Sequence, residues 1–503
     1  MEPTSQQMLD AVRKTLAERI APNVSHPGSS HLIGTVLTTL DELLRREQRG
    51  VAALEAVHGQ LAALVKRGKL LAQDRLSPSY DDAWAQRPDE LMPKQEPEAS
   101  IEVEWRRLAA LVTTLLGMRS DKTIDAATRE SIQKFLVDVA QVEVEQKKIA
   151  RPGVDRKASD VSIENQLEKL TPYLAMRLGN GANFAIHDFK QLSGGFSNQT
   201  FKLMIGESAA KAQPIVIRIA RANSIQWPYT ASLEEELPFI ELAHESGLPS
   251  PRQLWLETDT SLLGGMFHVM EYIPGVLRGD YMAAHGEVSD TLIVNIADVL
   301  ARMHRMRWQD WVGQLPERMA PRADLTLSDS MDLILQRMHT YCDAAWISPS
   351  PILLLLFDWL ERHRPVSDAP PVVTHGDLGY HNWLFEGDTP TALLDWENVA
   401  LSGAAKDLAN VKDVMIPARQ WDHFVDCYVQ AGGTRPKDEE MQFYVVLRQI
   451  QSIICTASSM EKMFIAVAPG NIDFLELGFG PREYFYLQVE QQLAELVGFI
   501  NKN

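Results

Sequence analysis

Apolar residues recur at helical spacing along the first part of the chain. The first stripe returns every four positions, at Met8, Val12, Leu16 and Ile20, the interval at which side chains share one face of a helix. Similar stripes run through 33–44, 51–71, 101–116 and 132–144. Four prolines and many charges interrupt them between 76 and 100, which is typical of a linker. The pattern predicts a helical region over 1–155 with a proline-rich excursion at 76–100.

The pattern of the remaining sequence favours strands first and helices later. A helix-like stretch at 163–178 is followed by alternating, β-branched sequence up to about Tyr272. Beyond Pro274 the spacing is mainly helical, with short strand candidates at 372–374 and 392–394. A sheet-rich part followed by a helical part is an α+β arrangement. We therefore predict a β-rich lobe over 156–273 and a mainly helical lobe over 274–503.

Composition and charge restrict the partners of the chain. Its 503 residues are 45 % apolar and 23 % charged, as in ordinary folded proteins, and their formal net charge is -18. A surface of that sign repels nucleic acid and anionic membranes at long range. We expect neither as a partner, although local cations and Mg²⁺ still permit nucleotide chemistry.

The cysteines and the apolar runs indicate the compartment. Cys342, Cys427 and Cys455 are widely spaced and form no C-x-x-C pair, which predicts neither a disulfide framework nor a zinc site. The longest apolar run, around 352–357, is too short to cross a bilayer, and the N-terminal sequence lacks a signal pattern. These features predict a cytoplasmic protein.

The clearest chemical signal is a pair of motifs in the C-terminal half. Residues 374–382 are Thr-His-Gly-Asp-Leu-Gly-Tyr-His-Asn, and residues 394–397 are Leu-Asp-Trp-Glu. Phosphoryl transfer needs a carboxylate that orients the attacking hydroxyl and a few oxygen ligands that hold Mg²⁺. Asp377 suits the first role, and Asn382 and Asp395 suit the second. Aspartates that merely cap turns at strand ends are the structural alternative.

These motifs resemble the aminoglycoside phosphotransferase and choline kinase group, relatives of protein kinases. The resemblance covers about 162–497 and implies a two-lobed protein-kinase-like fold behind the extra helical domain. It implies that Asp377 is the catalytic-loop aspartate and that Asn382 and Asp395 are Mg²⁺ ligands. His375 is expected to support the loop, and ATP or GTP is the implied phosphoryl donor.

Further segments resemble the nucleotide side of the same family. Gly194, Gly195, Phe196, Ser197 and Asn198 form a glycine pair and its flank between two strand-like pieces, where the family has its phosphate-covering loop. Arg218 lies on a strong strand candidate, at the position of the family's phosphate-holding lysine. An edge-strand arginine that faces solvent is the alternative.

Two more segments complete the implied nucleotide site. The partner carboxylate of Arg218 is expected at Glu236, with Glu235 as the other possible register, although helix capping alone explains such an acidic run. Residues Glu271, Tyr272 and Ile273 resemble the hinge between the lobes, where backbone groups bind adenine.

The sequence also points to one branch of the family. The segments 193–198, 216–218 and 248–252 resemble the kinase-like domain of acyl-CoA dehydrogenase family members ten and eleven, which implies a hydroxyacyl-CoA or a related acyl alcohol as acceptor. One departure is Gly403-Ala404-Ala405-Lys406, where the family often has Gly-Asp-Pro. We expect the next residue, Asp407, to be a structural hydrogen-bonding residue.

Alternatives remain open at the sequence level. An antibiotic kinase acting on an aminoglycoside or a macrolide is the close rival, and a catalytically silent nucleotide-binding module is the rival of another class. Apolar residues at 443, 447, 450, 454 and 463 suggest either an acceptor wall or core packing, and Arg448 is a candidate partner for an anion. The N-terminal helical domain is a candidate surface for homo-oligomer formation or for a protein partner.

Overall fold

A computed structural model of the chain describes residues 11–17, 57–72, 97–121, 123–148, 167–178, 184–192, 198–220, 230–278, 288–344 and 351–464. These residues belong to two compact units. The first comprises Met1–Asp160, Cys342–Arg362 and Arg448–Asn503, and the second comprises Val161–Tyr341 and His363–Leu447. No helix among the described residues is long and apolar enough to cross a membrane. The predicted three-part division of the chain stays a prediction.

The described residues of the first unit are mainly helical. Its described elements are a short helical segment over 11–17, a helix over 57–72 (α1), α2 (Pro97–Ser120), α3 (Ala126–Lys148), α8 (Pro351–Arg362) and the end of the helix Asp438–Phe464 from Arg448 onward. Apolar residues at helical spacing form its core, among them Leu108, Val112, Phe135 and Val139, each 0 % exposed. A Cβ atom on Gly68 would lie 2.8 Å from the Phe135 ring, so glycine permits the close approach of these helices.

The second unit begins with a short helix and an antiparallel sheet. Helix α4 (Leu167–Arg177) precedes β1 (Ala185–Gln191), β2 (Asn198–Gly206), β3 (Gln213–Ala220), β4 (Gln253–Glu257) and β5 (Phe267–Glu271). The five strands lie in the order β1-β2-β3-β5-β4. In this register Arg218 of β3 lies opposite Thr200 of β2 and opposite His268 of β5. The three side chains therefore share one face of the sheet.

A single helix of the β-rich part follows β3. Helix α5 (Leu233–Glu245) begins at a capping box in which Ser232 and Glu235 bond each other's backbone N–H groups. Its buried face contains Phe239, Ile240 and Glu236. Helix capping, the alternative explanation for the acidic run, therefore applies to Glu235. Glu236 instead faces the interior.

The rest of the second unit is mainly helical. Its helices are α6 (Asp290–Met303), α7 (Leu327–Ala344), α9 (Ala405–Val414), α10 (Trp421–Gln430) and α11 (Asp438–Phe464), the last of which belongs to this unit up to Leu447. Two small sheets lie among them, one pairing β6 (Val372–Thr374) with β9 (Ala400–Ser402) and one pairing β7 (Trp383–Glu386) with β8 (Thr389–Leu393). A sheet followed by helices confirms the predicted α+β fold class.

Candidate active site

The predicted catalytic loop follows directly from β6. Gly376 has a φ of 84°, a left-handed conformation that glycine adopts without steric cost. A Cβ atom there would meet the Asn398 carbonyl oxygen at 2.5 Å. Position 376 therefore requires glycine, and the turn places Asp377 beyond the end of the strand.

His375 connects the two motifs. Its Nδ1 accepts the backbone N–H of Asp377 at 3.3 Å, so its Nε2 carries the proton and donates to the Leu394 carbonyl at 2.9 Å. The ring is 0 % exposed, and burial lowers its pKa. A neutral imidazole thus fixes the spacing between the loop of Asp377 and the segment of Asp395.

Asn382 and Asp395 lie close to Asp377 through further contacts. The Asn382 amide nitrogen donates to the carboxylate of Asp377 at 3.0 Å and to its carbonyl at 2.9 Å. The backbone N–H of Leu394 donates to the Asn382 carbonyl at 2.8 Å. Asp395 itself has a φ of 64°, an uncommon left-handed conformation for a non-glycine residue.

The surroundings of Asp377 keep it ionised. Burial alone would raise the pKa of this carboxyl, but the hydrogen bond and charge of His381 outweigh it, with help from Asn382, and the pKa lies below its ordinary value. The His381 ring nitrogen lies 3.4 Å from the carboxylate. A carboxylate held in this way can accept a hydrogen bond from a hydroxyl group.

Arg218 is shared between two carboxylates. Its guanidinium donates to Glu236 at 2.9 Å and also to Asp395. Arg218 is 9 % exposed and Glu236 is 0 % exposed. Of the two glutamates that the sequence left open, Glu236 is the one that contacts Arg218. The solvent-facing alternative for Arg218 is wrong, because its side chain is buried.

The electrostatics of this cluster follow from burial and close charges. Burial opposes the charge of Arg218, but Asp395, Glu236 and Glu397 outweigh it and raise the guanidinium pKa. Burial raises the pKa of Glu236 to about 7, and the charge of Arg218 offsets that effect only in part. Glu236 is thus more easily neutralised than an ordinary glutamate.

The oxygen atoms present suit a hard divalent cation. Among the described residues, carboxylate oxygens of Glu236, Asp395 and Glu397 lie within 4.8 Å of one another. The side-chain amide nitrogen of Asn382 donates to Asp377. The side-chain oxygen of Asn382, Oδ1, is therefore the atom left for a metal. Asp395 and Asn382 fit the oxygen ligand set of Mg²⁺. Sequence reasoning did not assign a role to Glu397, although its place two residues after Asp395 was a signal.

The remaining predicted nucleotide residues lie elsewhere or outside the described residues. Gly194, Gly195, Phe196 and Ser197 are outside them, and Asn198 is the buried first residue of β2. Glu271 ends β5, and the Lys202 ammonium lies 3.9 Å from the centroid of the Tyr272 ring. Tyr272 and Ile273 are half-buried. No described contact joins these hinge residues to Asp377.

A buried network around Asp407 supports the loop. Its carboxylate accepts the backbone N–H groups of His375 at 2.8 Å and Gly376 at 2.7 Å, and it lies 3.2 Å from His304 Nε2. The other nitrogen of His304 lies 2.8 Å from the Tyr428 hydroxyl. Burial would raise the pKa of Asp407, but these hydrogen bonds and charges lower it. The network holds the turn at Gly376 in place.

The predicted apolar acceptor wall belongs to the core at its described positions. Phe443 and Ile450 are 0 % exposed and Leu447 is 1 % exposed. The side chains at 454 and 463 are outside the described residues. Core packing therefore explains Phe443, Leu447 and Ile450.

The match to a known family lies mainly within the second unit. Residues 188–444 match the model of the phosphotransferase enzyme family, about half of the chain. Acyl-CoA dehydrogenase family member 10 of Mus musculus is 26 % identical over 249 residues, which are 48 % of this chain and 22 % of the mouse protein. Family member 11 of Homo sapiens is 26 % identical over 327 residues, which are 61 % of this chain and 39 % of the human protein. The chain thus spans well under half the length of these relatives.

Two solved phosphotransferases are among the structures to which this chain is similar, both at TM-scores below 0.5. A macrolide 2'-phosphotransferase of Brachybacterium faecium has a TM-score of 0.44 at 17 % identity, covering 63 % of this chain and 99 % of its own. An aminoglycoside phosphotransferase in complex with ADP and hygromycin B has a TM-score of 0.42 at 13 % identity, covering 66 % and 98 %.

Proposed function

Since this chain belongs to the phosphotransferase enzyme family, we propose that it transfers the γ-phosphoryl group of ATP, or of GTP, to a hydroxyl group of a small molecule. The observation that carries the proposal is the convergence of Asp377, Asn382 and Asp395. His375 and the Leu394–Asn382 hydrogen bond hold these residues in one place. A carboxylate beside two oxygen ligands is the set that phosphoryl transfer requires.

Asp377 orients the acceptor. Its ionised carboxylate accepts the hydrogen bond of the acceptor hydroxyl, whose oxygen forms a bond to the γ-phosphorus. The bond between that phosphorus and the β–γ bridging oxygen breaks, the nucleoside diphosphate leaves, and the hydroxyl proton passes to Asp377. Asn382 keeps the carboxylate in place through its bond to the second oxygen.

Asn382 and Asp395 would hold Mg²⁺, with Glu397 close enough to contribute. When bound, the ion neutralises charge on the phosphate oxygens. Arg218 would hold the nucleotide phosphates, with Glu236 fixing its guanidinium. The backbone of 194–198 would cover the phosphates, and Glu271, Tyr272 and Ile273 would bind the adenine.

The preferred acceptor is a hydroxyacyl-CoA or a related acyl alcohol. Its support is the 26 % identity to acyl-CoA dehydrogenase family members 10 and 11. An aminoglycoside or macrolide antibiotic is the second candidate acceptor. A silent nucleotide-binding module is the candidate of another class, and the presence of Asp377, Asn382 and Asp395 argues against it.

The test is Mg²⁺-dependent phosphate transfer from ATP and GTP to hydroxyacyl-CoAs, free hydroxy acids, aminoglycosides and macrolides. We expect transfer to one class by the natural chain, loss of turnover in Asp377→Asn, and weaker Mg-nucleotide binding in Asp395→Ala. Asp324→Asn, 87 % exposed, is the matched control and should behave as the natural chain. Nucleotide binding without any transfer would favour the silent module, and equal turnover in Asp377→Asn would remove the role of Asp377.

A further inference from the structure

Lys406 lies between the two motifs of the site. Its ammonium donates to the Asn398 carbonyl at 3.0 Å and lies 2.7 Å from the position that a Cβ atom on Gly376 would take. Gly376 precedes Asp377, and Asn398 closely follows Asp395. Within the described part of the chain, the Asn398 carbonyl is the hydrogen-bond partner of this ammonium. Two of its three N–H donors therefore remain for a ligand.

Arg318 brings a second cation to the same place. Its Nε lies 2.9 Å from Oε1 of Glu235, and its side chain is 18 % exposed. Burial lowers the pKa of Lys406 to about 8; the charge of Asp407 opposes that shift, Arg318 adds to it, and Asp377 opposes it. The charges of Arg318 and of Asp377 thus both act on the Lys406 ammonium.

A third cation lies behind Arg318. One Nη of Arg337 donates to the Arg318 carbonyl at 2.9 Å, and the other donates to the Tyr341 hydroxyl at 2.8 Å. Burial lowers the pKa of Arg318, Glu235 opposes that shift, and the charge of Arg337 adds to it. Arg337 therefore fixes the backbone at Arg318 and increases the local positive potential.

These cations come from the helical part of the second unit, whereas the cation expected at the nucleotide phosphates comes from the sheet. Arg218, the cation expected at the nucleotide phosphates, belongs to the sheet and contacts Asp395. Arg318 and Arg337 come from the helical stretch between α6 and β6, and Lys406 from the start of α9. In a chain with a net charge of -18, the Lys406 ammonium thus lies beside the glycine that precedes Asp377, and the charge of Arg318 acts on it.

We propose that Lys406 and Arg318 bind an anionic oxygen group, a carboxylate or a phosphate, that the acceptor carries close to the hydroxyl presented to Asp377. The proposal rests on the proposed function. Partly buried cations repel each other and are poorly solvated, and an anion between them removes both penalties through charge-assisted hydrogen bonds. Lys406 acts here as an acceptor-binding residue and Arg337 as a positioning residue.

The proposal sorts the acceptor classes. An aminoglycoside would bring ammonium groups to a positive site, and like charges in contact are unfavourable. A hydroxyacyl-CoA carries its phosphates beyond the pantetheine arm, away from a hydroxyl on the acyl chain, so within the acyl class preferred above this inference favours the free acid over the thioester. A free hydroxy acid or a phosphorylated alcohol places the anion beside the hydroxyl, which fits Lys406 and Arg318.

The first experiment compares 3-hydroxydecanoate, its methyl ester and 3-hydroxydecanoyl-CoA as acceptors. We expect the natural chain to prefer the acid over the ester by about tenfold or more in kcat/KM. Lys406→Met and Arg318→Met should remove that preference through the KM of the acid and leave the KM of ATP unchanged. Lys406→Arg should retain it, and Lys412→Met, exposed on the same helix, is the matched control. An equal kcat/KM for the acid and the ester in the natural chain would overturn the proposal. So would a Lys406→Met variant in which only the KM of ATP changes.

A binding measurement covers the case in which none of these acceptors reacts. The chain is saturated with Mg²⁺ and a non-hydrolysable ATP analogue, so that the γ-phosphate position is filled, and inorganic phosphate is titrated by calorimetry. We expect Lys406→Met and Arg318→Met to weaken phosphate binding about tenfold, with Lys412→Met unchanged. Equal affinity in all variants would overturn the proposal. Equal transfer to the acid, the ester and the thioester would contradict this inference but support the proposed kinase function. Phosphate binding that depends on Lys406, without transfer to any acceptor, would support this inference but contradict the proposed kinase function.

Discussion

The carboxylate of Asp407 accepts the backbone N–H of Gly376 at 2.7 Å, from a helix that begins after the last strand of the site. The same side chain accepts the backbone N–H of His375. One buried carboxylate therefore accepts two backbone N–H groups of the loop that presents Asp377. Its loss would be destabilising, because a buried N–H group without an acceptor is costly in free energy.

Replacing Asp407 should loosen that loop. Asp407→Ala leaves two buried N–H groups and His304 without their acceptor, and we expect a loss of about 3 kcal/mol in the free energy of unfolding. Hydrogen exchange at the amides of 375–377 should accelerate, and turnover should fall. Asp413→Ala, exposed on the same helix, is the control. Unchanged exchange at 375–377 in Asp407→Ala would contradict the supporting role.

Removing Arg218 should destabilise the β-rich part. Arg218→Met leaves Glu236 buried without its cation, and breaking a buried pair from one side costs about 3 kcal/mol. The double variant Arg218→Met/Glu236→Gln removes the stranded charge and should recover part of that loss. Urea unfolding of the two single variants and the double variant measures the coupling. Strictly additive losses would show that the pair is not coupled.

His268 should make stability depend on pH. Burial, with the nearby charge of Arg218, lowers the pKa of His268 from its ordinary 6.5 to about 3. The unfolded state therefore binds a proton that the folded state excludes between these values, so stability is full above about pH 6.5 and falls by up to roughly 4 kcal/mol towards pH 3. The free energy of unfolding of the His268→Leu variant should fall less steeply across this range.

A second outcome is expected of the same variant. Within the described residues neither ring nitrogen of His268 has a hydrogen-bond partner. Leucine removes two buried polar atoms, so His268→Leu should be neutral or stabilising by about 1 kcal/mol at pH 8. A large loss at pH 8 would mean that His268 makes a polar contact in solution.

Two glycines with positive φ should differ in their tolerance of alanine. Gly376→Ala brings a Cβ atom to 2.5 Å from the Asn398 carbonyl oxygen, whereas at Gly387, with a φ of 57°, nothing lies within 4 Å. We expect Gly387→Ala to cost about 1 kcal/mol for its conformation alone. Gly376→Ala should cost more than twice that and lower turnover. Thermal unfolding of both variants tests the difference, and similar melting temperatures would contradict the crowding at Gly376.

The predictable part of the site is local in sequence. Asp377 and Asp395 each follow a short strand that the apolar runs indicated, and Asn382 lies five residues after Asp377 in the same motif. The α+β order was predictable for the same reason, since periodicity distinguishes strands from helices.

The unpredictable part depends on how helices dock. Lys406 reaches Gly376, and Asp407 reaches His375, only because α9 packs against the loop, and no spacing in the sequence reports that contact. Arg318 lies in a stretch without a motif, so its contact with Glu235 had no signal. The proximity of His268 to Arg218 required the strand register, which alternation alone does not specify.

Helix Pro351–Arg362 packs on Pro97–Ser120 and Ala126–Lys148 within the first unit. During synthesis, part of the apolar surface of the helices Pro97–Ser120 and Ala126–Lys148 therefore stays exposed until more than two hundred further residues have left the ribosome. A nascent chain of this kind offers chaperones a long interval for binding. A separately expressed fragment 1–160 should accordingly be more sensitive to protease than the same residues in the full chain.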